Sequence, residues 1–229
     1  MSKKLYTAFV PLFAVAAFAV MPAVAQAQPH WYRNGTIIKA GKTVKVTTHS
    51  VLPGLDFKAL GVTITCKVVT DKGTVTNPTS GGAGYDNITN FVNKECTATP
   101  ASPCKTGETL ELTALKGEEP LTAENEWPST LLAGPPIRDE IREIEIWIEC
   151  NKAGTKTVLD TFTGTLTPKI VNGTTGTEAG CAAGTDTVAE FDEPGSGFLL
   201  DPAGNKGFPS GKDCFWGSVA GEVITVKNP

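Results

Sequence analysis

Through most of this chain apolar and polar residues alternate one for one, and that period of two constrains the fold more than any other feature. Val62, Ile64, Cys66 and Val68 share one face of a run whose other face is Thr63, Thr65 and Lys67. Leu110, Leu112 and Ala114 alternate with Glu111 and Thr113, and Val158, Phe162 and Leu166 stand against a ladder of threonines at 157, 161, 163, 165 and 167. Successive side chains of a strand point to opposite faces, so each run has one dry side and one wet side, the pattern of half-buried antiparallel strands. Asn34-Gly35, between His30 to Arg33 and Thr36 to Lys39, is the strongest two-residue hairpin signal, because a type I′ turn needs positive φ at both positions. Asp71-Lys72-Gly73 reads as a second turn, leading into Thr74 to Asn77. The fold class predicted is all-β, a single antiparallel β-sandwich or barrel.

Three stretches need arbitration. Between Ile137 and Cys150, isoleucines recur at both helical and strand spacing; the β-branched run from Glu143 onward and the turn residues Asn151 to Gly154 favour a strand from Glu143. Val188 to Phe191 and Gly197 to Leu200 read as a hairpin around Glu193-Pro194-Gly195-Ser196, and a last strand pair is expected between Cys214 and Val226. Asn172 to Gly184, dominated by Gly, Thr and Ala, reads as a long surface loop pinned by Cys181. Without a Pro- or Ser-rich linker or a fixed repeat, residues 28–229 are expected to form one domain.

The first 27 residues have a different character. Leu5 to Val24, apolar and rich in Ala, follows Lys3 and Lys4 and runs into Ala25-Gln26-Ala27, the layout of a secretory signal peptide with its cleavage site. A membrane anchor would need a comparable length, but Pro11 and Pro22 break the run and small residues stand where a signal peptidase reads. The mature chain is thus expected to begin near Gln28 or, with a cut after Ala23-Val24-Ala25, near Gln26, to be secreted, and to keep no stable membrane span. It would carry 18 basic against 24 acidic residues, a net charge of −6. Such a surface repels phosphate backbones and anionic lipid, which discounts nucleic acid as a partner.

An oxidising compartment turns an even set of cysteines into disulfides, and all six, Cys66, Cys96, Cys104, Cys150, Cys181 and Cys214, lie in the mature part. Strand phase suggests their pairing. Cys66 is in phase with Val62 and Ile64, and Cys150 with Ile144 to Ile148, so both sulfurs should enter the core and bond to each other. Cys96 and Cys104 flank a short loop and form the second expected bridge, leaving Cys181 with Cys214. On the chain-entropy model the core bridge would contribute about 4 to 5 kcal/mol and the short one about 2 to 3.

Catalytic chemistry is hard to place. His30 and His49 are the two histidines, and neither accompanies a nucleophile motif; Gly195-Ser196-Gly197 lacks the nucleophile-elbow spacing. No cysteine pair has zinc spacing, Gly81-Gly82-Ala83-Gly84 lacks the Lys-Ser or Lys-Thr of a phosphate loop, and Asp201, Asn205 and Asp213 miss the calcium-loop frame. No metal or cofactor is expected, and no catalytic residue is assigned. What remains is a row of acids, Glu143, Glu145 and Glu149, interrupted by Trp147, on one face of a strand. An indole beside carboxylates can stack on a sugar ring while the acids take hydroxyl protons, so Trp147, Glu143 and Glu145 are the candidate binding residues. The expected role is a non-catalytic extracellular or envelope protein binding a glycan or another protein; the alternative is a secreted carboxylate-dependent glycoside hydrolase, which needs only two opposed acids.

His30-Trp31-Tyr32 after the signal, Asn77-Pro78 ahead of the glycine-rich turn, Trp127-Pro128-Ser129 ahead of Ile137-Arg138-Asp139, and Leu166 to Gly173 together resemble a set of uncharacterised secreted proteins from soil actinobacteria. The resemblance implies a shared secreted β fold and carries no assigned chemistry. Cys181 and Cys214 look like an addition to that pattern.

Overall fold

A computed structural model describes residues 28–51, 54–172, 187–192, 195–219 and 221–228. The expected signal peptide and Cys181 lie outside the described residues. Among them the secondary structure is entirely β, as the alternation requires, and the strands close on themselves.

The closure comes from four long strands and four split ones. The long strands are β5 (Val62–Thr76), β6 (Tyr85–Thr99), β10 (Arg138–Lys152) and β15 (Lys206–Gly217). Between them lie pairs of shorter strands placed end to end: β3 (Thr43–Ser50) with β4 (Leu55–Ala59), β7 (Thr109–Lys116) with β9 (Trp127–Leu132), β11 (Thr155–Leu166) with β12 (Lys169–Asn172), and β13 (Thr187–Phe191) with β14 (Leu199–Leu200). The two-residue β8 (Glu119–Pro120) folds back on the end of β7. Following the antiparallel pairings from β5 through β6, β7/β9, β10, β11/β12, β13/β14, β15 and β3/β4 returns to β5, so eight staves form a barrel. A barrel has no open edge to pair with another chain, and at eight staves its interior is just wide enough for side chains to fill. Closure therefore resolves the sandwich-or-barrel alternative in favour of the barrel.

A small sheet lies across one end. β1 (His30–Arg33) pairs with β2 (Thr36–Ile37) through the Asn34-Gly35 turn, whose φ angles of 49° and 75° match the hairpin reading, and with β16 (Ile224–Lys227) on its other side. Trp31, Ile224 and Val226 are fully buried against Val46, Val75, Leu131, Ile170 and Phe215, which line that end of the barrel. Asn77 fastens the sheet: its Oδ1 accepts from the Trp31 N–H at 2.8 Å, and its Nδ2 donates to the carbonyls of Trp31 at 2.9 Å and Ile38 at 2.8 Å. The opposite half of the barrel holds a separate core cluster that includes Phe57, Ile64, Leu112, Ile146, Ile148 and Phe162.

Several strand assignments made from phase change in the folded chain. Asp71-Lys72-Gly73 is no turn; β5 runs straight through it, with a register shift against β6 between Lys72 and Gly73. There a Cβ on Gly73 would stand 2.1 Å from the Asn87 carbonyl oxygen, so the close strand approach explains the glycine. β10 begins at Arg138, earlier than expected, and is interrupted by a shift between Ile141 and Ile144 with Glu143 at φ 58°. A second shift, between Ile148 and Glu149, leaves Val158 exposed while Phe162 and Leu166 point inward. Likewise Val68 faces out, and the inward phase of β5 passes from Cys66 to Val69. An inserted residue reverses every following side chain, which a strict period of two does not register. β13 and β14 are not a hairpin; each pairs with β15, which itself belongs to the barrel, whereas β16 pairs with β1.

The disulfides also differ from the expected pairing. Cys66 bonds to Cys96, directly opposite it on β6 with the Cα atoms 4.0 Å apart, and Cys104, in the loop before β7, bonds to Cys150 on β10 with a Cα separation of 5.5 Å. Cys66 and Cys150 are both buried, at 0% and 3% exposure, but each bonds to another cysteine. Cys214 is also disulfide-bonded.

Candidate functional site

The acids that converge are inside the barrel. Asp71 on β5, Asp86 on β6, Asp139 on β10 and Asp213 on β15 are all buried, between the two apolar clusters. Each is in phase with inward apolar neighbours on its own strand: Asp71 with Val69 and Val75, Asp86 with Ile88, Asp139 with Ile141, and Asp213 with Phe215. They interact as two pairs. Asp71 and Asp213 are within hydrogen-bond reach of each other, and the Thr48 hydroxyl donates to Asp213 Oδ2 at 2.7 Å. Asp86 and Asp139 form the second pair, with the Ser129 hydroxyl donating to Asp139 Oδ1.

Two ionised carboxylates cannot bond each other, since each is acceptor only. With every acid charged, Oδ1 of Asp86 and Oδ1 of Asp213 have no donor at all. A proton retained within each pair turns one partner into a donor. Burial, the largest influence on all four, favours that outcome by penalising charge. It pushes Asp71 and Asp139 up to about 6 against the hydroxyl contacts of Thr48 and Ser129 that oppose it. Asp86 and Asp213 are raised well above the ordinary carboxylate range, first by burial and then by the facing carboxylates Asp139 and Asp71. Each pair therefore holds a proton to higher pH than exposed carboxyls do.

Beside three of these acids, Asp71, Asp139 and Asp213, the barrel holds a cavity of about 70 Å³, lined also by Trp127, Ile144 and Phe215. A water needs roughly 10–15 Å³ measured this way, whereas ligand pockets run to about 300 Å³ and more, so the space suits a few waters and not a sugar ring. The four aspartates are thus a polar layer of two carboxyl pairs within an apolar core.

On the outside of β10 the sequence candidates come together, but occupied with one another. The Trp147 indole, half-buried, donates to Glu145 Oε1 at 2.8 Å, and Glu145 Oε2 accepts the Glu118 N–H at 3.2 Å. Glu143 is exposed on the irregular turn of the strand and pairs with Lys116 at 2.8 Å; that ammonium holds its carboxyl below the usual value. Glu149 is covered by Lys156 at 2.9 Å and by the Thr113 hydroxyl, and the same lysine reaches Glu111 at 3.0 Å. The indole face therefore sits in a cross-linked row of carboxylates and lysines rather than beside vacant acids.

Other candidates are kept apart. Asp201 accepts from Asn205 N and Nδ2, both at 2.7 Å, in the turn before β15, while Asp213 lies inside the barrel. Among the described residues, Cys104, Glu108 and Cys150 bring possible metal donors within 4.8 Å, but the two sulfurs are bonded to each other and offer no thiolate. Phase with apolar neighbours was the signal that would have found the aspartates from sequence; Asp71 was hidden because its glycine-containing surroundings read as a turn. Compared with protein-family models, characterised proteins and solved structures, the chain matches none of them.

Proposed function

We propose that the protein is a secreted, non-catalytic barrel that acts by presenting a rigid outer surface, on which the Trp147 face of β10 contacts a glycan or another extracellular protein. The observation that carries this reading is the division of its acids. Those that converge as pairs are sealed inside, in space too small for a substrate, and those outside are neutralised and held in place by Lys116, Lys156 and the Trp147 N–H. Hydrolysis of a glycosidic bond would require two acids on opposite sides of an accessible sugar. Disulfides support service outside the cytoplasm, where an oxidising environment keeps them formed.

A glycan array run beside a polysaccharide hydrolysis screen tests it. The expected result is retention of a glycan or of an extracellular protein, weakened by Trp147→Ala, with no release of reducing sugar. Release of reducing sugar by the purified chain would replace this reading with the hydrolase.

A further inference from the structure

Around Trp147 the outward polar groups are bound to one another, whereas a groove on β3 and β5, away from β10 in the ring of staves, leaves its own open. In the β3–β5 ladder Lys45 stands opposite Thr74 and Thr47 opposite Lys72, while the intervening pairs, Val46 with Gly73 and Thr48 with Asp71, are buried. The four outward residues make a square with the lysines on its diagonal, about 7–8 Å apart at the backbone, so that both ammonium groups can reach one small anion. The square is extended on both sides. Ser218, whose N–H donates to the Lys45 carbonyl at 3.0 Å, continues the chain from β15 beside β3. On β6 the register shift pairs Lys72 with Asn90 and Gly73 with Ile88, which makes Thr89 the extra residue of a bulge. Bulges re-aim side chains, and here the Thr89 hydroxyl donates to the Lys72 carbonyl at 3.2 Å and lines the groove. With Ala123 from the β8–β9 connection these residues enclose an open groove of about 380 Å³, within the range of pockets that hold small ligands. Its charged residues are Lys45 and Lys72, both exposed. Among the described residues neither ammonium meets a carboxylate, and the hydroxyls of Thr47, Thr74 and Ser218 meet no hydrogen-bond partner.

We propose that this groove binds an anionic saccharide, a sugar unit carrying one acidic group. The lining selects that occupant. Two uncompensated lysines, on a chain of net charge −4, call for a negative group between them. The four hydroxyls of Thr47, Thr74, Thr89 and Ser218 around those lysines accept hydrogen bonds, and those not already donating can donate, which suits a ring of hydroxyls better than a bare anion. The acidic remainder of the surface works against an extended polyanion, so the fit is to a short unit and not to a nucleic acid. The groove is separate from the Trp147 face, and a Trp147 face that retains no glycan leaves this reading standing.

The test is calorimetric titration of the disulfide-bonded protein, followed by backbone amide shifts in NMR. The probes are oligogalacturonate, sulfated and phosphorylated maltooligosaccharides, the unmodified maltooligosaccharide and inorganic sulfate. The expected result is binding of an acidic oligosaccharide, weakened by added salt, with shifts at Lys45, Thr74, Thr89 and Ser218; the acidic probe that binds most tightly identifies the anionic group. Lys45→Gln and Lys72→Gln should each weaken binding by about tenfold, the loss of one charged hydrogen bond. Both side chains are exposed, so the thermal melts should be unchanged. Four results would each overturn the proposal: no binding of any acidic probe, equal binding of the neutral one, inorganic sulfate binding as tightly as the acidic sugars, or wild-type affinity in a variant carrying both lysine substitutions. So would shifts confined to the Trp147 face, because the sugar would then sit there.

Discussion

Replacing Asp139 by Asn should remove one of the four contributions that the buried aspartates make to the pH dependence of stability. A carboxyl whose folded pKa is raised binds its proton more tightly in the folded state than in the unfolded one. Its contribution is fully present below the unfolded value, 3.8, and is lost as the pH climbs through about 6. For Asp139 that displacement of roughly two units corresponds to about 3 kcal/mol lost between acid and mildly alkaline solution. The groups facing it are Asp86 on β6 and Ser129 on β9, with Glu140 next to it in the chain. The amide introduced by Asp139→Asn has nearly the same shape as the carboxyl, can donate to Asp86 and cannot ionise. Urea unfolding, followed by the fluorescence of the buried Trp31 and Trp127, measures both proteins at pH of about 4.5, 6 and 8. Relative to Asp139→Asn, the wild type should lose about 2 kcal/mol across that range, the remainder having gone between the unfolded value of 3.8 and pH of about 4.5. Parallel curves, or a wild type that gains on the variant as pH rises, would refute the protonated-pair account.

Other expectations follow from packing and cross-links. The two described bridges close segments of 30 and 46 residues, so removing either pair of cysteines should cost a similar amount, about 4 kcal/mol on the chain-entropy model, in place of the unequal costs implied by the pairing read from sequence; denaturant titration of the two double variants checks this, and non-reducing peptide mapping checks the connectivity. Asn77→Ala should strip the small sheet of three hydrogen bonds and destabilise the fold by about 2 to 3 kcal/mol or more, read as faster hydrogen exchange at Trp31 and Ile38 than in the rest of the barrel. Gly207→Ala would place a Cβ 2.3 Å from Phe57 and 2.8 Å from Phe162, an edge-to-face pair at 5.3 Å, and should cost about 1 to 3 kcal/mol in thermal or chemical melts.

The local pattern was enough to establish the β class, the Asn34-Gly35 hairpin and the inward direction of Cys66, Cys150, Leu110 and Leu112, because strand phase is a property of neighbouring residues. It also brought attention to the acidic face around Trp147. Tertiary structure decided everything that depends on which strand lies beside which. Cys66 faces Cys96 rather than Cys150 since an inward sulfur can reach its neighbour on the next stave more readily than one across the core. The register shift between Ile148 and Glu149 reversed a face that a strict alternation had assigned, exposing Val158, and Val68 likewise faces out. The aspartates show the same division. Each stands singly among apolar neighbours in its own strand, where nothing marks it as one of a pair. Closure of eight staves into a ring brings Asp71 to Asp213 and Asp86 to Asp139, and only there, away from water, do the pKa values of four ordinary carboxyls rise.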